Sequence, residues 1–505
     1  MKSAKRSRKM DILNGSIWNK IPMYALPVAA TGILEQLFNA SDVAIVGNFA
    51  SSDRTVAIAA VGANSPVIGV ILNLFIGISL GTNVVIANAI GRKDKKAIEQ
   101  TVHTSVLAAF LGGLLVTLLG ELFIRNVLSL LNVPADVFPY ALLYIRIYLL
   151  GMPVIFLYNF EAAIFRSTGD TKVPLQVLAF SGALNVLLNL FFVICLKMTV
   201  NGVAVATVIS NVVSSVILFV KLTQTEKWIH LDVRNLRIDG KCLIKILRIG
   251  FPAGIQSAVF NLANLVIQSA INSLGTVVIA ASSAAYNIEI LVYYIFNSFS
   301  QACTTFVGQN YGAGQIKRCK RTLLLCVIED SIASVAAIIL ILCSGRFLLS
   351  LFNRDPQVIA IGYQRLVIIF TAYIFSMLYE IMSGYLRGFG ISFVPAVLTT
   401  IGVCGIRIAW VYTIFPKSRT FRTLLLAYPA SLSVTALLIL IALLGYHPAH
   451  RMQSQQTDCF VLLCNCIHFF LCGNASLQCT FFNCRWIVVE LFSGSLNLKQ
   501  NQHKY

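Results

Sequence analysis

The chain has 505 residues, of which 57% are hydrophobic and only 12% charged, with a mean hydropathy of +0.79 and a formal net charge of +19. Soluble domains carry about a quarter of their residues as charges, so this composition excludes a soluble globular protein and implies a polytopic membrane protein. The surplus of Lys and Arg would suit nucleic acid, but it sits in connecting segments where the positive-inside rule places it, and no nucleic-acid partner is expected.

Apolar runs of about 20 residues or more predict roughly twelve transmembrane helices. They fall at 21–47, 57–88, 102–123, 140–165, 173–196, 202–221, 249–273, 277–308, 322–344, 359–386, 393–415 and 424–445. Residues 1–20 read as a basic cytoplasmic N terminus, and Met1–Lys9 serves equally as a cytosolic leader or as an extension upstream of a start at Met10. A cleaved signal peptide is not expected, because the first apolar segment is longer than an h-region and lacks a small-residue cleavage pattern.

That first segment, Ile21–Phe49, carries Glu35, Asn39 and Asp42 at i, i+4 and i+7, a spacing that places them on one helical face. An acid at mid-bilayer costs about 2.5–3.5 kcal/mol on insertion scales, so it faces a partner or a wet cavity and is a functional candidate. The competing reading makes these acids neutral, hydrogen-bonded packing groups. In the fifth segment Asn185 and Asn189 lie four residues apart and share a face; alone, such amides more often bond neighbouring helices than ligate ions. Further on, Glu289, Glu380 and Arg407 are ionisable groups within apolar runs and candidates, with Glu35, Asn39 and Asn64, for a substrate path; internal pairing of Glu380 and Arg407 is the alternative. Tyr158, Phe160, Tyr286, Tyr293, Tyr294 and Tyr379 offer aromatic faces to a cationic ligand, or form core and interfacial belt.

Basic clusters at Lys2–Lys9, Arg92–Lys96, Lys221–Arg248 and Lys317–Arg321 fall on one side of an even-numbered topology, so both termini are expected in the cytoplasm. Lys417, Arg419 and Arg422 in the last outer loop are the exception. The chain also repeats itself. Leu26-Pro27 returns as Phe251-Pro252, AAVGAN as SSAAYN, and FRSTGDTKVP (Phe165–Pro174) as LRGFGISFVP (Leu386–Pro395), at a nearly constant offset of 221 to 225 residues. This implies two homologous six-helix lobes, 21–222 and 249–445, joined by a cytoplasmic linker, 223–248, and related by an axis along the membrane normal, with a solute path between them. The turns holding Arg166, Gly169 and Pro174, and Arg387, Gly390 and Pro395, read as structural hinges: glycine frees the backbone and proline starts the next helix. The tail 446–505 holds six of the thirteen cysteines and matches neither repeat, which reads as a frameshift or fusion.

The paired RSTGDTKVP and LRGFGISFVP turns, FVGQNYGAG, NVLLN and GVAVATVIS resemble the multidrug and toxic compound extrusion family over residues 10–444, closer to its DNA-damage-inducible-like bacterial branch. The resemblance implies an all-α, two-lobed antiporter that exports organic, often cationic, molecules in exchange for Na+ or H+ and needs no cofactor. It also implies a coupling site at Asp42, Asn185, Asn189 and Thr207, where Asn189 departs from the Asp usual in that branch and leaves one carboxylate. The equivalent of Asp42 in the second repeat is Ile267, so the acid belongs to one lobe only. Acids of the branch named for norfloxacin resistance would fall near Phe260 and Ser376, which are uncharged.

The chain is thus expected to be a monomeric, multi-pass, non-enzymatic exporter in the bacterial plasma membrane, meeting small organic substrates and lipids, with no metal beyond Na+. A lipid-linked precursor flippase of the same superfamily is the alternative, and a non-transporting receptor or scaffold ranks lower.

Overall fold

The computed structural model describes residues 10–49, 54–131, 133–225 and 228–446; the Met1–Lys9 leader and the cysteines of the tail lie outside them. Of the described residues, those up to Leu440 belong to the first of two units and 441–446 to the second. The first is built of helices α1 (Lys20–Phe49), α2 (Arg54–Gly91), α3 (Lys95–Leu130), α4 (Phe138–Leu150), α5 (Met152–Ser167), α6 (Lys172–Leu190) and α7 (Val200–Gln224), then α8 (Gly240–Asn272), α9 (Thr276–Gly312), α10 (Ile316–Ser350), α11 (Pro356–Gly388), α12 (Phe393–Thr399), α13 (Ile406–Thr413), α14 (Phe421–Leu425) and most of α15 (Ala427–Tyr446).

Among the described residues eleven helical spans are long and apolar enough to cross a bilayer, and the bent pair α4–α5 makes a twelfth. The bend is 50° and falls at Gly151, where Pro153 removes a backbone donor from the first turn of α5. The bilayer is the solvent for the outer surface: Leu115, Leu118, Leu122 and Phe123 on α3 and Ile332, Ile339 and Leu340 on α10 are all exposed.

Helices reach further beyond the apolar runs than hydropathy indicates. Asp94, Asp239 and Asp355 each accept a backbone N–H in the first turn of α3, α8 and α11, satisfying donors the helix start would otherwise orphan. The Asp239 carboxylate, accepting from Cys242 N, is held below the usual carboxylate range. The predicted linker 223–248 therefore shrinks to the stretch between Gln224 and Gly240, and Lys241, Lys245 and Arg248 belong to α8. That stretch is pinned to α3: Asp232 N donates to His103 Nε2 (3.0 Å) and Asp239 N to Thr104 Oγ1 (2.9 Å), while Ile229 and Leu231 are buried.

The two halves meet along α2 and α8, whose backbones touch. A Cβ on Gly77 would lie 2.2 Å from Gly254 Cα, and one on Gly254 would lie 2.3 Å from the Leu74 carbonyl oxygen. Gly81 and Gly250 repeat the contact one turn along, a small-residue crossing of the kind that lets membrane helices pack by van der Waals contact. Gly254→Leu is expected to push α2 and α8 apart at a cost on the order of 1–3 kcal/mol or more, read as a lowered thermal midpoint of the detergent-solubilised protein.

At one end of the molecule the junction takes on the symmetry of the repeat. Asn88 and Gln309 occupy equivalent positions, as do Ser167 and Gly388. Asn88 Nδ2 donates across to Gly388 O (3.3 Å), and Gln309 Nε2 to Ser167 O (2.6 Å). Nearby, Tyr24 Oη on α1 bonds Thr305 Oγ1 on α9 (2.8 Å), which reaches Asn83 Oδ1 on α2 (3.0 Å). The N-terminal segment adds a strap here, since Arg318 donates to Gly15 O and Ile12 O, both at 3.0 Å.

The hinge turns lie at this same end. Gly169 and Gly390 have φ of 87° and 85°, and each ends its helix in the same way. Gly169 N bonds Arg166 O and Asp170 N bonds Phe165 O; Gly390 N bonds Arg387 O and Ile391 N bonds Leu386 O. This is the two-bond helix stop that requires a left-handed residue, and Pro174 and Pro395 then stand in the first turn of α6 and α12.

Candidate functional site

Two polar places stand out within the apolar body. The first is a closed cluster inside the first half. Asp42 on α1 is 7% exposed; its Oδ1 accepts from Asn189 Nδ2 on α6 at 2.6 Å and its Oδ2 from Thr207 Oγ1 on α7 at 3.3 Å. Asn189 Nδ2 also reaches Asn185 Oδ1 (3.2 Å), and Asn185 Nδ2 reaches Thr207 Oγ1 (3.3 Å). The four-residue spacing of Asn185 and Asn189 puts both amides on the face of α6 turned to α1 and α7.

The cluster is short of donors in an informative way. Thr207 has one hydroxyl proton for two acceptors, Asp42 Oδ2 and Val203 O (3.0 Å), and Asn189 Oδ1 is buried with no partner. Five side-chain oxygens, two of them the Asp42 carboxylate's own, therefore make up the cluster, a set of hard ligands carrying a single negative charge. Immediately after Asn189 the helix widens into a π turn, Phe191–Cys195, an irregularity that frequently marks functional sites.

The second place is a cavity of about 670 Å³ between the halves. Glu35, Glu289, Glu380 and Arg407 all line it, together with Arg166, Arg365 and Arg387. Arg365 and Glu289 form a buried bidentate pair, Nε to Oε1 at 2.7 Å and Nη2 to Oε2 at 3.0 Å, and Arg365 Nη1 donates to Ser282 Oγ at 2.5 Å. Tyr286, Tyr293, Tyr294 and Tyr379 line the cavity, whereas Tyr158 and Phe160 are buried elsewhere in the first half.

Four residues need correction. Asn64 is not on the cavity wall: it is fully buried, and its Nδ2 ties α2 to α4 through Ala60 O (2.9 Å) and Ala141 O (2.8 Å). Asn39 is exposed and belongs to neither place, so the stripe Glu35–Asn39–Asp42 meets two environments within two turns. Arg166 and Arg387, assigned to the turns with Gly169, Pro174, Gly390 and Pro395, send their side chains into the cavity, and Arg387 Nη2 donates to Gln256 Oε1 at 2.8 Å. Their spacing was the available signal: Arg387 follows Glu380 by seven residues and so shares its face.

The MatE family profile matches the chain twice, over residues 27–191 and 252–413. The chain belongs to the MatE family. The two matches coincide with the two repeats, and the first takes in Asp42, Asn185 and Asn189. This MatE chain is 27% identical over 433 residues to the Bacillus subtilis (strain 168) protein described as "Probable multidrug resistance protein YoeA", covering 84% of this chain and 93% of that one. It is 28% identical over 385 residues to the Thermotoga maritima protein described as "Probable multidrug resistance protein NorM", covering 75% of this chain and 82% of that one. Among solved structures, one described as "Outward-facing conformation of a multidrug resistance MATE family transporter of the MOP superfamily" superposes with a TM-score of 0.80 at 22% identity, over 87% of this chain and 98% of that one. It supports the fold.

Proposed function

We propose that this MatE protein is a secondary active exporter of small organic molecules in the plasma membrane, binding them in the cavity between the halves and exchanging them for a monovalent cation at Asp42. The observation that carries this reading is asymmetry. The first half gathers Asp42, Asn189 and Thr207 into a closed polar cluster, whereas the residues one repeat on, Ile267, Trp410 and Tyr428, come together in an apolar one. A single coupling site built on one of two like scaffolds has this form. The names borne by the relatives point the same way.

One carboxylate in a low-dielectric body calls for one positive charge, and a sodium ion held by the oxygens or a proton on Asp42 supplies it equally. α1 joins the two places, since Asp42 and Glu35 stand two turns apart on it and it packs against both α6 and α9. Filling the cluster with a cation removes the cost of an isolated charge there, and any conformation in which α1 closes tightly on α6 and α7 gains from it. Coupling then follows from the cation's different affinity for the two conformations. With both termini cytoplasmic, the hydrogen bonds donated by Asn88 and Gln309 tie the two halves together at the inner end.

The test is ethidium efflux from proteoliposomes under a sodium gradient and, separately, a proton gradient. Export driven by one of them is expected and identifies the ion; a folded protein that exports under neither sinks the antiport reading.

A further inference from the structure

The cavity holds more cationic groups than cation export would ask for. Arg365 is answered by Glu289, and Arg387 has the Glu380 carboxylate within electrostatic reach, but Arg407 forms no ion pair among the described residues, where the pairs found are Arg146–Glu121 and Arg365–Glu289. Both guanidinium groups are more than nine-tenths buried, at 8% and 2% exposure, and both line the cavity. Arg407 is held by neutral acceptors, with Nε on Ser431 Oγ (3.2 Å) and Nη1 on Asn264 Oδ1 (3.0 Å). Arg387 has one neutral acceptor, Gln256 Oε1, and its Nε is buried without a partner. Removing a cation from water without a counter-charge is among the costlier arrangements a fold can hold, and a ligand that brings the charge relieves it.

The surroundings of Arg407 say what kind of ligand. Its guanidinium carbon is 4.3 Å from the Tyr428 ring centroid and 5.3 Å from that of Phe260, so two aromatic rings pack within cation–π reach of it. A guanidinium fork matches a planar acidic group, and rings beside it are suited to stack on an aromatic ligand. The π turn Thr400–Gly405, an irregularity frequent at functional sites, immediately precedes α13, which carries Arg407.

We propose that the second-half wall of the cavity is a subsite for aromatic organic acids, in which Arg407, supported by Arg387, takes the carboxylate or other acidic group and Tyr428 and Phe260 take the ring. This rests on the reading of the cavity as the substrate site and adds aromatic anions to the small organic molecules assigned to it.

Two fluorescent probes of opposite charge, fluorescein and ethidium, test it by equilibrium binding to the full-length protein in detergent. Wild type is expected to bind fluorescein, and Arg407→Gln to weaken it about tenfold or more while tightening ethidium, because a positive charge has been removed from the wall. A general loss of structure cannot move the two probes in opposite directions. Should Arg407→Gln fail to fold, Arg407→Lys keeps the charge but loses the fork, and is expected to weaken fluorescein while leaving Arg387→Gln to show the opposite-sign shift. Ethidium binding without fluorescein binding in wild type overturns the acid subsite and leaves the substrate cavity standing; binding of neither overturns both. Equal weakening of both probes in the variants also overturns the proposal.

Discussion

Asp42→Asn is expected to abolish gradient-driven export, to the rate of protein-free vesicles, while leaving the fold intact. The substitution is nearly isosteric and keeps an acceptor for Asn189 Nδ2, whose bond to Asp42 Oδ1 is 2.6 Å, and an amide can still meet Thr207 at the other position. What it removes is the charge, and with it any reason for a cation to favour one conformation over the other. The cavity, lined by other residues, keeps its shape, so binding of substrate to the detergent-solubilised variant is expected to persist as export fails. Undiminished export by Asp42→Asn under either ion gradient would remove Asp42 from the coupling role. Thr207→Ala is a milder companion: it deletes one ligand and leaves the carboxylate, so weaker apparent cation affinity is expected before any loss of maximal rate.

How far such a site can be read from sequence depends on which way the information runs. The helices, their duplication and the polar pairs inside them were legible, because hydropathy and the near-constant spacing of Gly and Pro motifs survive in one dimension. Asp42 stood out as an acid in an apolar run, and Asn185 and Asn189 shared a face by their spacing, but that these met Thr207 came from family likeness and needed three helices in space. Side-chain direction at helix ends was not legible. Arg166 and Arg387 sit in turn motifs, and their chain neighbours Gly169 and Gly390 explain the turn fully, which masked the one local signal, the seven-residue spacing that puts Arg387 on the face of Glu380. The stripe Glu35–Asn39–Asp42 was a correct face with a changing neighbour: a helix presents one side, while what it presents it to changes every turn or two. The start of α8 was hidden for a different reason, since Lys241, Lys245 and Arg248 read as loop by hydropathy although Asp239 caps a helix there.

The buried pair Arg365–Glu289 is the other place where one change should matter most. That Arg365 is the partner of Glu289 was not legible, because the two lie on α11 and α9 and no motif links them. The pair is bidentate and 3% and 4% exposed, so neither group has water to fall back on. Glu289→Leu leaves the guanidinium with Ser282 alone, and breaking such a pair from one side costs about 3–5 kcal/mol, a large share of the stability of any helical membrane body. A marked fall in the thermal midpoint is expected. Replacing both partners, Glu289→Leu with Arg365→Met, removes the stranded charge as well and is expected to recover most of the loss, since well-packed apolar substitutes for a buried pair are often neutral. The recovered protein should still differ from wild type in ligand binding: Arg365 stands 5.6 Å from the Tyr428 ring that also covers Arg407, so the pair holds one wall of the cavity as well as two helices. If Glu289→Leu alone melts with the wild type, the pair contributes nothing to holding α9 against α11, and the wall must be fixed by the aromatic contacts among Tyr293, Phe296, Phe370 and Tyr373 instead.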